Sequence, residues 1–273
     1  MENVPQEVSE QILKSLPDAR GLHRKVYDLW GELLPPLSGH VAIACVCLQN
    51  SAELFQDAGW GVYHARCEWH RLKDRKVPGL PNDGRYLFAV SEARHYFDHA
   101  ANCLYAGMNH LAGAMWHFHE GAEGPLGSGY KSADQIRQLW EKAGAGPSSL
   151  PILQGVLTNA AWGTVMGYRS KWNHREYPLI EGEFRNRREA VWKDQSDPGP
   201  SHYIMSHVDG DAGKVAYIRS GLGNHEYGMP DLMDAATESL RAAVAAGESF
   251  HALVQQHFAD AIASMGGEYT PGD

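Results

Sequence analysis

At 273 residues and 43% hydrophobic composition the chain can bury a sizeable core, and it holds no apolar run as long as a membrane-spanning helix. A net charge of −9 argues against a protein that coats nucleic acid without selectivity, while leaving room for a local basic site. Met1–Glu10 lacks the basic-then-apolar order of a secretory leader, and four unevenly spaced cysteines fit a reducing cytoplasmic setting better than a disulfide framework.

Taken in order, Val8, Ile12 and Leu16 mark a short amphipathic helix closed by Pro17. Leu22, Val26, Leu29 and Leu33 mark a second, which stops at Pro35-Pro36. Val41, Cys45, Leu48, Ala52 and Phe55 mark a third, and together they form an N-terminal helical section over residues 1–80. Cys45-x-Cys47 with Cys67-x-x-His70 invites a zinc reading, but residues two apart on a helix point to different sides, so buried thiols are favoured. The punctuated run Lys76–Gly84 reads as a linker or long loop.

Residues 84–265 then read as a helical bundle. Phe97, Ala101, Leu104, Met108, Leu111, Met115 and Phe118 alternate four and three apart, one continuous face of a long helix from about Tyr86 to just before Gly121. Gly121–Gly129 is a glycine-rich connection with no lysine at the offset a phosphate loop needs. Ser132–Lys142 is a short helix, and Leu150–Trp172 is a longer one, apolar on most sides and therefore expected at the centre. Two strand-like stretches, His202–His207 and Lys214–Arg219, flank Asp209–Gly213 and predict a small inserted β-hairpin at about 202–219. The last helix spans about Asp231–Met265, with Gly247 on its apolar face as a possible interruption, and 266–273 is a loose tail. The predicted fold class is all-α, a bundle with added N-terminal helices and one hairpin.

Chemistry concentrates at Tyr168-Arg169-Ser170-Lys171-Trp172-Asn173-His174. Arg169 offers a permanent planar cation suited to phosphate, and His174 titrates near neutral pH. On a continuous helix residues five apart sit about 140° round from each other, so the two converge only if the helix ends or unwinds near Asn173. From Arg169 to Lys193 there are seven basic residues, Arg175 among them, against four acidic ones, a local charge of +3 that leaves −12 for the remainder. One basic zone on an acidic body is the pattern of a selective anion site.

Arg-x4-His at the end of a bundle helix, preceded by the long helix containing Ala93–Ala112, resembles the HEPN superfamily, in particular a bacterial branch with a Tyr-Arg-x-Lys-Trp-x-His signature. Ser170 stands where family members often carry Asn, Asp or His. The resemblance covers about Tyr86–Met265. It implies an all-α bundle and a dimeric ribonuclease that needs no metal or cofactor, in a toxin-like, defence or processing role that the sequence does not choose between; because uncontrolled RNA cleavage is harmful, a cognate inhibitor protein is a further expected partner. It implies Arg169 and His174 as catalytic residues, with Tyr168, Ser170, Lys171, Asn173 and Arg175 as substrate contacts.

Two other readings compete. Glu92-x-x-His95 and Glu248-x-x-His251, with His99 one turn beyond His95, supply half of a di-metal carboxylate bundle; the other half has no candidate. Glu92, His95, His99, His110 and His117 fall opposite the apolar stripe of the long helix, which also suits a polar surface or a dimer contact. The third reading is a non-catalytic module that binds RNA, a nucleotide or a protein.

Overall fold

In the computed structural model the long helix is α4, Leu87–His119, and its apolar stripe is buried: Phe97, Leu104, Met108, Leu111 and Met115 expose no surface. The structure describes residues 4–33, 39–74, 87–120, 132–144, 146–173, 186–194, 203–209, 214–222 and 227–264. The expected linker at 76–84, the glycine-rich connection, the hairpin turn and the C-terminal tail lie outside the described residues.

Three helices precede α4: α1 (Gln6–Ser15), α2 (Ala19–Leu33) and α3 (His40–Leu72). The third helix continues well past Phe55, where the sequence pattern fades. It pairs with α4 in antiparallel register, since His40 stacks on His117, Phe55 abuts Gly107 and Gly61 abuts Ala100. Both helices have 33 residues, about 50 Å at 1.5 Å per residue. A Cβ on Gly61 would lie 2.9 Å from Ala100 Cβ and 3.0 Å from the Tyr96 carbonyl oxygen, so glycine permits this backbone approach.

The chain continues through α5 (Ala133–Ala143), α6 (Leu150–Leu157) and α7 (Ala160–Asn173). The single helix expected over Leu150–Trp172 is therefore two. Thr158 Oγ1 donates back to the Gln154 carbonyl, and Asn159 Oδ1 accepts from the Ala161 amide, so a side-chain cap restarts the helix. Nor is the pair apolar on most sides, since Gly155, Gly163, Thr164 and Ser170 are exposed.

Strands β1 (Asn186–Asp194), β2 (Tyr203–Asp209) and β3 (Lys214–Leu222) form an antiparallel sheet in the order β1-β3-β2. Tyr203 faces Arg219 across β2 and β3, with an irregularity between Met205 and His207, and Asn186 faces Leu222 across β1 and β3. The basic run Arg187-Arg188 thus lies on β1, a strand the sequence pattern does not announce.

The last helix, α8 (Met229–Ser264), packs on α2, α3, α4, α6 and α7. It is unbroken at Gly247, where an added Cβ would meet Leu22 Cδ2 at 2.7 Å. Glycine there makes room for α2 instead of ending the helix. Side chains from α2 through α8 join one hydrophobic core, so the N-terminal section and the bundle share their interior. Among the described residues no helix is long and apolar enough to cross a membrane.

Candidate functional site

Beside the apolar stripe of α4 runs a second stripe, offset by one residue at each step: Asp98, Asn102, Tyr105 and Asn109. Spacings of four, three and four keep these side chains on one face, beside the side buried in the core. This polar face meets α7 and the start of α5.

Tyr168 anchors α7. Its ring is 1% exposed, packs edge-on against Phe97 and Tyr227, and lies 5.6 Å from the Arg94 guanidinium. Its hydroxyl donates to Asp98 Oδ1 at 2.6 Å, and Asp98 Oδ2 lies 3.9 Å from Arg94 Nε. Tyr168 was expected to touch substrate; burial gives it a structural part instead, because a ring sealed between Phe97 and Tyr227 cannot reach a ligand.

Arg169, the next residue, points out of the core. Its Nε donates to Asn102 Oδ1 at 2.9 Å while its guanidinium lies over the Tyr105 ring, Cζ 3.7 Å from the centroid. Asn102 is itself held by donation from Nδ2 to the Asp98 carbonyl. The fork therefore has a fixed hydrogen bond on one edge and an aromatic plane beneath it, a cation–π contact of about 0.5–1 kcal/mol at a part-exposed position.

Arg169 and Tyr105 line a cavity of about 430 Å³. Its apolar wall is Leu157, Trp162 and Met166 from α6 and α7, and its polar side includes Asn109 and Ser132. Ser170 also lines it and is exposed. Ser132 begins α5 with a reciprocal cap: its Oγ accepts from the Gln135 amide, and Gln135 Oε1 accepts from the Ser132 amide. Asn109, 2% exposed, docks this helix start on α4 by accepting the Ala133 amide at 2.8 Å. Asn109 Nδ2 is buried with no hydrogen-bond partner among the described residues. An unpaired buried donor costs roughly 1–3 kcal/mol.

No protein-family model matches the chain, and neither does any curated protein or solved structure.

His174 and Arg175 lie outside the described residues, as do the side chains of Lys171 and Asn173. The sequence reading missed Asn102, Tyr105, Asn109, Ser132 and Trp162. For the first three the signal was the polar stripe that shadows the apolar one, and for Ser132 the Ser132-x-x-Gln135 cap; Trp162 had none.

The residues of the metal alternative go to different neighbours. Glu248 Oε1 accepts from Lys25 Nζ at 2.7 Å, and His251 Nε2 lies 3.1 Å from the Lys25 carbonyl oxygen. Glu92 and His95 are exposed on α4, and His99 lies against Cys103 Sγ at 3.6 Å. Among the described residues no group of three or more His, Cys, Asp or Glu side chains is placed to hold a metal ion. Cys47 and Cys67 are twenty positions apart on the same helix α3, about 30 Å along its axis, so they cannot share a zinc ion. Burial pushes the Cys45 thiol up to about 11, away from the thiolate that a metal needs.

Half-buried histidines lie elsewhere on α4. His119 Nε2 lies 2.7 Å from Ser149 Oγ, and burial holds the imidazole below its ordinary value. His117, stacked on His40 at 5.9 Å, is lowered by burial and by that neighbour. His110 is lowered by burial alone. These groups favour the neutral form and pack the ends and flanks of α4.

Proposed function

We propose that the chain is a HEPN-like, metal-independent endoribonuclease that cleaves single-stranded or loop RNA, in a toxin-like or defence role in the cytoplasm. The observation that carries this reading is Arg169. On α7 its guanidinium is oriented by Asn102 and Tyr105 at the edge of a cavity sized for a small ligand.

In the proposed reaction His174 takes the proton from a ribose 2′-hydroxyl. O2′ bonds to the adjacent phosphorus, the P–O5′ bond breaks and O5′ is protonated. The products are a 2′,3′-cyclic phosphate and a free 5′-hydroxyl. Arg169 stabilises the extra negative charge of the phosphorane, which develops only in the transition state. One imidazole cannot be base and acid in the same step. A two-fold dimer would supply a second His174, and isologous dimers are the commonest closed assembly. Ser170 at the cavity, together with Lys171, Asn173 and Arg175, completes the proposed phosphate and ribose contacts.

The test is cleavage of unstructured RNA in excess chelator by the wild type, His174→Ala and Arg169→Lys. Loss of a general acid–base costs about 10²–10⁴ in rate, and loss of an oriented charge-stabilising donor about 10²–10³. Lysine keeps the charge but not the fork, so Arg169→Lys should remain impaired. Undiminished cleavage by His174→Ala would sink the proposal. A second reading, a module that binds a nucleotide without cleaving RNA, rests on the same cavity and on the planar Arg169 cation at its edge. Its mark would be ligand binding with no cleavage by the wild type.

A further inference from the structure

We infer that Asn102 and Tyr105 are positioning residues of the proposed reaction: they aim Arg169 at the phosphate, and the uncharged amide at position 102 sets how tightly Arg169 holds an anion. The reaction rests on the ribonuclease reading; the positioning rests on the contacts between α4 and α7. Asn102 Oδ1 accepts from Arg169 Nε at 2.9 Å, and the Tyr105 ring lies under the guanidinium, its centroid 3.7 Å from Cζ. The hydrogen bond fixes one edge of the planar fork, and the ring fixes its tilt. Turning the amide over would break a second bond, because Asn102 Nδ2 donates to the Asp98 carbonyl at 3.0 Å, which leaves Oδ1 for Arg169. Residues three apart on α4 thus give one side chain of α7 an edge contact and a face contact. A charge-stabilising group needs such aim, since misplacement by about 1 Å can cost 10²-fold in rate.

The charges around the fork are placed to the same end. One turn before Asn102 the polar stripe carries a carboxylate, Asp98, but it accepts the Tyr168 hydroxyl at 2.6 Å and lies 3.9 Å from Arg94 Nε. Asp134 lines the cavity with Arg169, yet its carboxylate accepts from Arg137 Nε and Nη2 and from Gln138 Nε2 on its own helix. At the contact with Arg169 Nε stands a neutral acceptor. An amide there orients the cation without the charge-assisted pair that a carboxylate would form and that a phosphate would have to displace.

The experiment uses the full chain as wild type, Asn102→Asp, Asn102→Ala, Tyr105→Phe and Tyr105→Leu, with folding checked by circular dichroism and melting. Binding of an uncleavable 2′-O-methyl oligonucleotide is measured over a range of salt concentrations, and cleavage of unstructured RNA in chelator gives kcat and KM. Asn102→Asp should pair with Arg169 and weaken binding about tenfold, the worth of one hydrogen bond to a charged group. It should also flatten the slope of log affinity against log salt by about 0.7, the share of one phosphate contact on a single strand. Asn102→Ala keeps the charge but loses the aim, so KM and the salt slope should stay near wild type while kcat falls by about 10- to 100-fold. Tyr105→Leu should lose kcat in the same way, and Tyr105→Phe, which keeps a ring under the guanidinium, should retain most of it. If Asn102→Asp fails to fold, Asn102→Ala and the two Tyr105 variants carry the test. Wild-type cleavage with kcat unchanged in Asn102→Ala and Tyr105→Leu overturns the positioning and leaves the ribonuclease reading intact. So does a loss that only follows the fall in melting midpoint, with KM and kcat moving together. Binding without cleavage by the wild type, with the salt slope flattened in Asn102→Asp, upholds the aiming of Arg169 at an anion and overturns the ribonuclease. Neither binding nor cleavage overturns both.

Discussion

Replacing Tyr168 by phenylalanine removes one oxygen from the joint between α7 and α4. The ring keeps its edge-on contacts with Phe97 at 5.0 Å and Tyr227 at 5.7 Å, so little packing is lost. What disappears is the 2.6 Å donation to Asp98 Oδ1. A hydrogen bond to a charged group contributes about 1.5–3 kcal/mol. Asp98 keeps 19% of its side chain exposed, so water replaces part of the loss, and the lower part of that range, about 1.5–2 kcal/mol, applies. At about 2–4 °C per kcal/mol for a chain of this size, the melting midpoint should fall by roughly 3–8 °C. Urea unfolding of Tyr168→Phe, Asp98→Asn and the double variant isolates the pair, and a coupling of at least about 0.5 kcal/mol is expected. A loss below about 0.5 kcal/mol in Tyr168→Phe, with no coupling, would refute the view that this bond fixes α7, and with it Arg169, on α4.

Gly61→Ala forces a methyl against Ala100 Cβ and the Tyr96 carbonyl, so it should cost about 1–3 kcal/mol in a thermal or urea melt. Gly155→Ala, in α6, meets nothing within 4 Å and should stabilise by about 0.5–1 kcal/mol on helix propensity. Stability should also fall on acidification. His110, His117 and His119 are held below the ordinary value of 6.5, so the folded chain binds their protons less tightly than the unfolded chain. Their contribution is fully present above pH 6.5 and is lost as pH falls through the lower folded values. Melting midpoints measured from pH 8 to pH 5 should decline below 6.5, and His119→Asn should flatten that decline.

Much of the helical architecture is written in spacing. The alternation from Phe97 to Phe118 falls wholly within α4, because a helix buried on one side must repeat its apolar residues every three or four positions. Spacing fails where packing is too close for side chains. Gly247 reads as an interruption of α8, yet at Gly247, as at Gly61 in α3, a neighbouring helix leaves no room for a side chain. The break after α6 is the reverse case, since the apolar run hides a stop that Thr158 and Asn159 make with their side chains. At the candidate site the sequence singles out Arg169 but not the residues that hold it. Asn102 and Tyr105 share a polar stripe in the sequence, but that α7 crosses α4 at that height is a tertiary fact that the stripe does not carry. Tyr168 shows the opposite error, since a residue within a catalytic-looking motif serves the core.

The central claim, 2′-hydroxyl attack promoted by His174 and Arg169, is tested most directly by the ends of the cleaved RNA. Incubation of the purified chain with an unstructured RNA in chelator, followed by mass analysis of the products, should give 2′,3′-cyclic phosphate and 5′-hydroxyl termini. A 2′-O-methyl strand should stay intact, and so should RNA incubated with His174→Ala. Products with 3′-hydroxyl and 5′-phosphate ends that form only when a divalent cation is supplied would contradict the account.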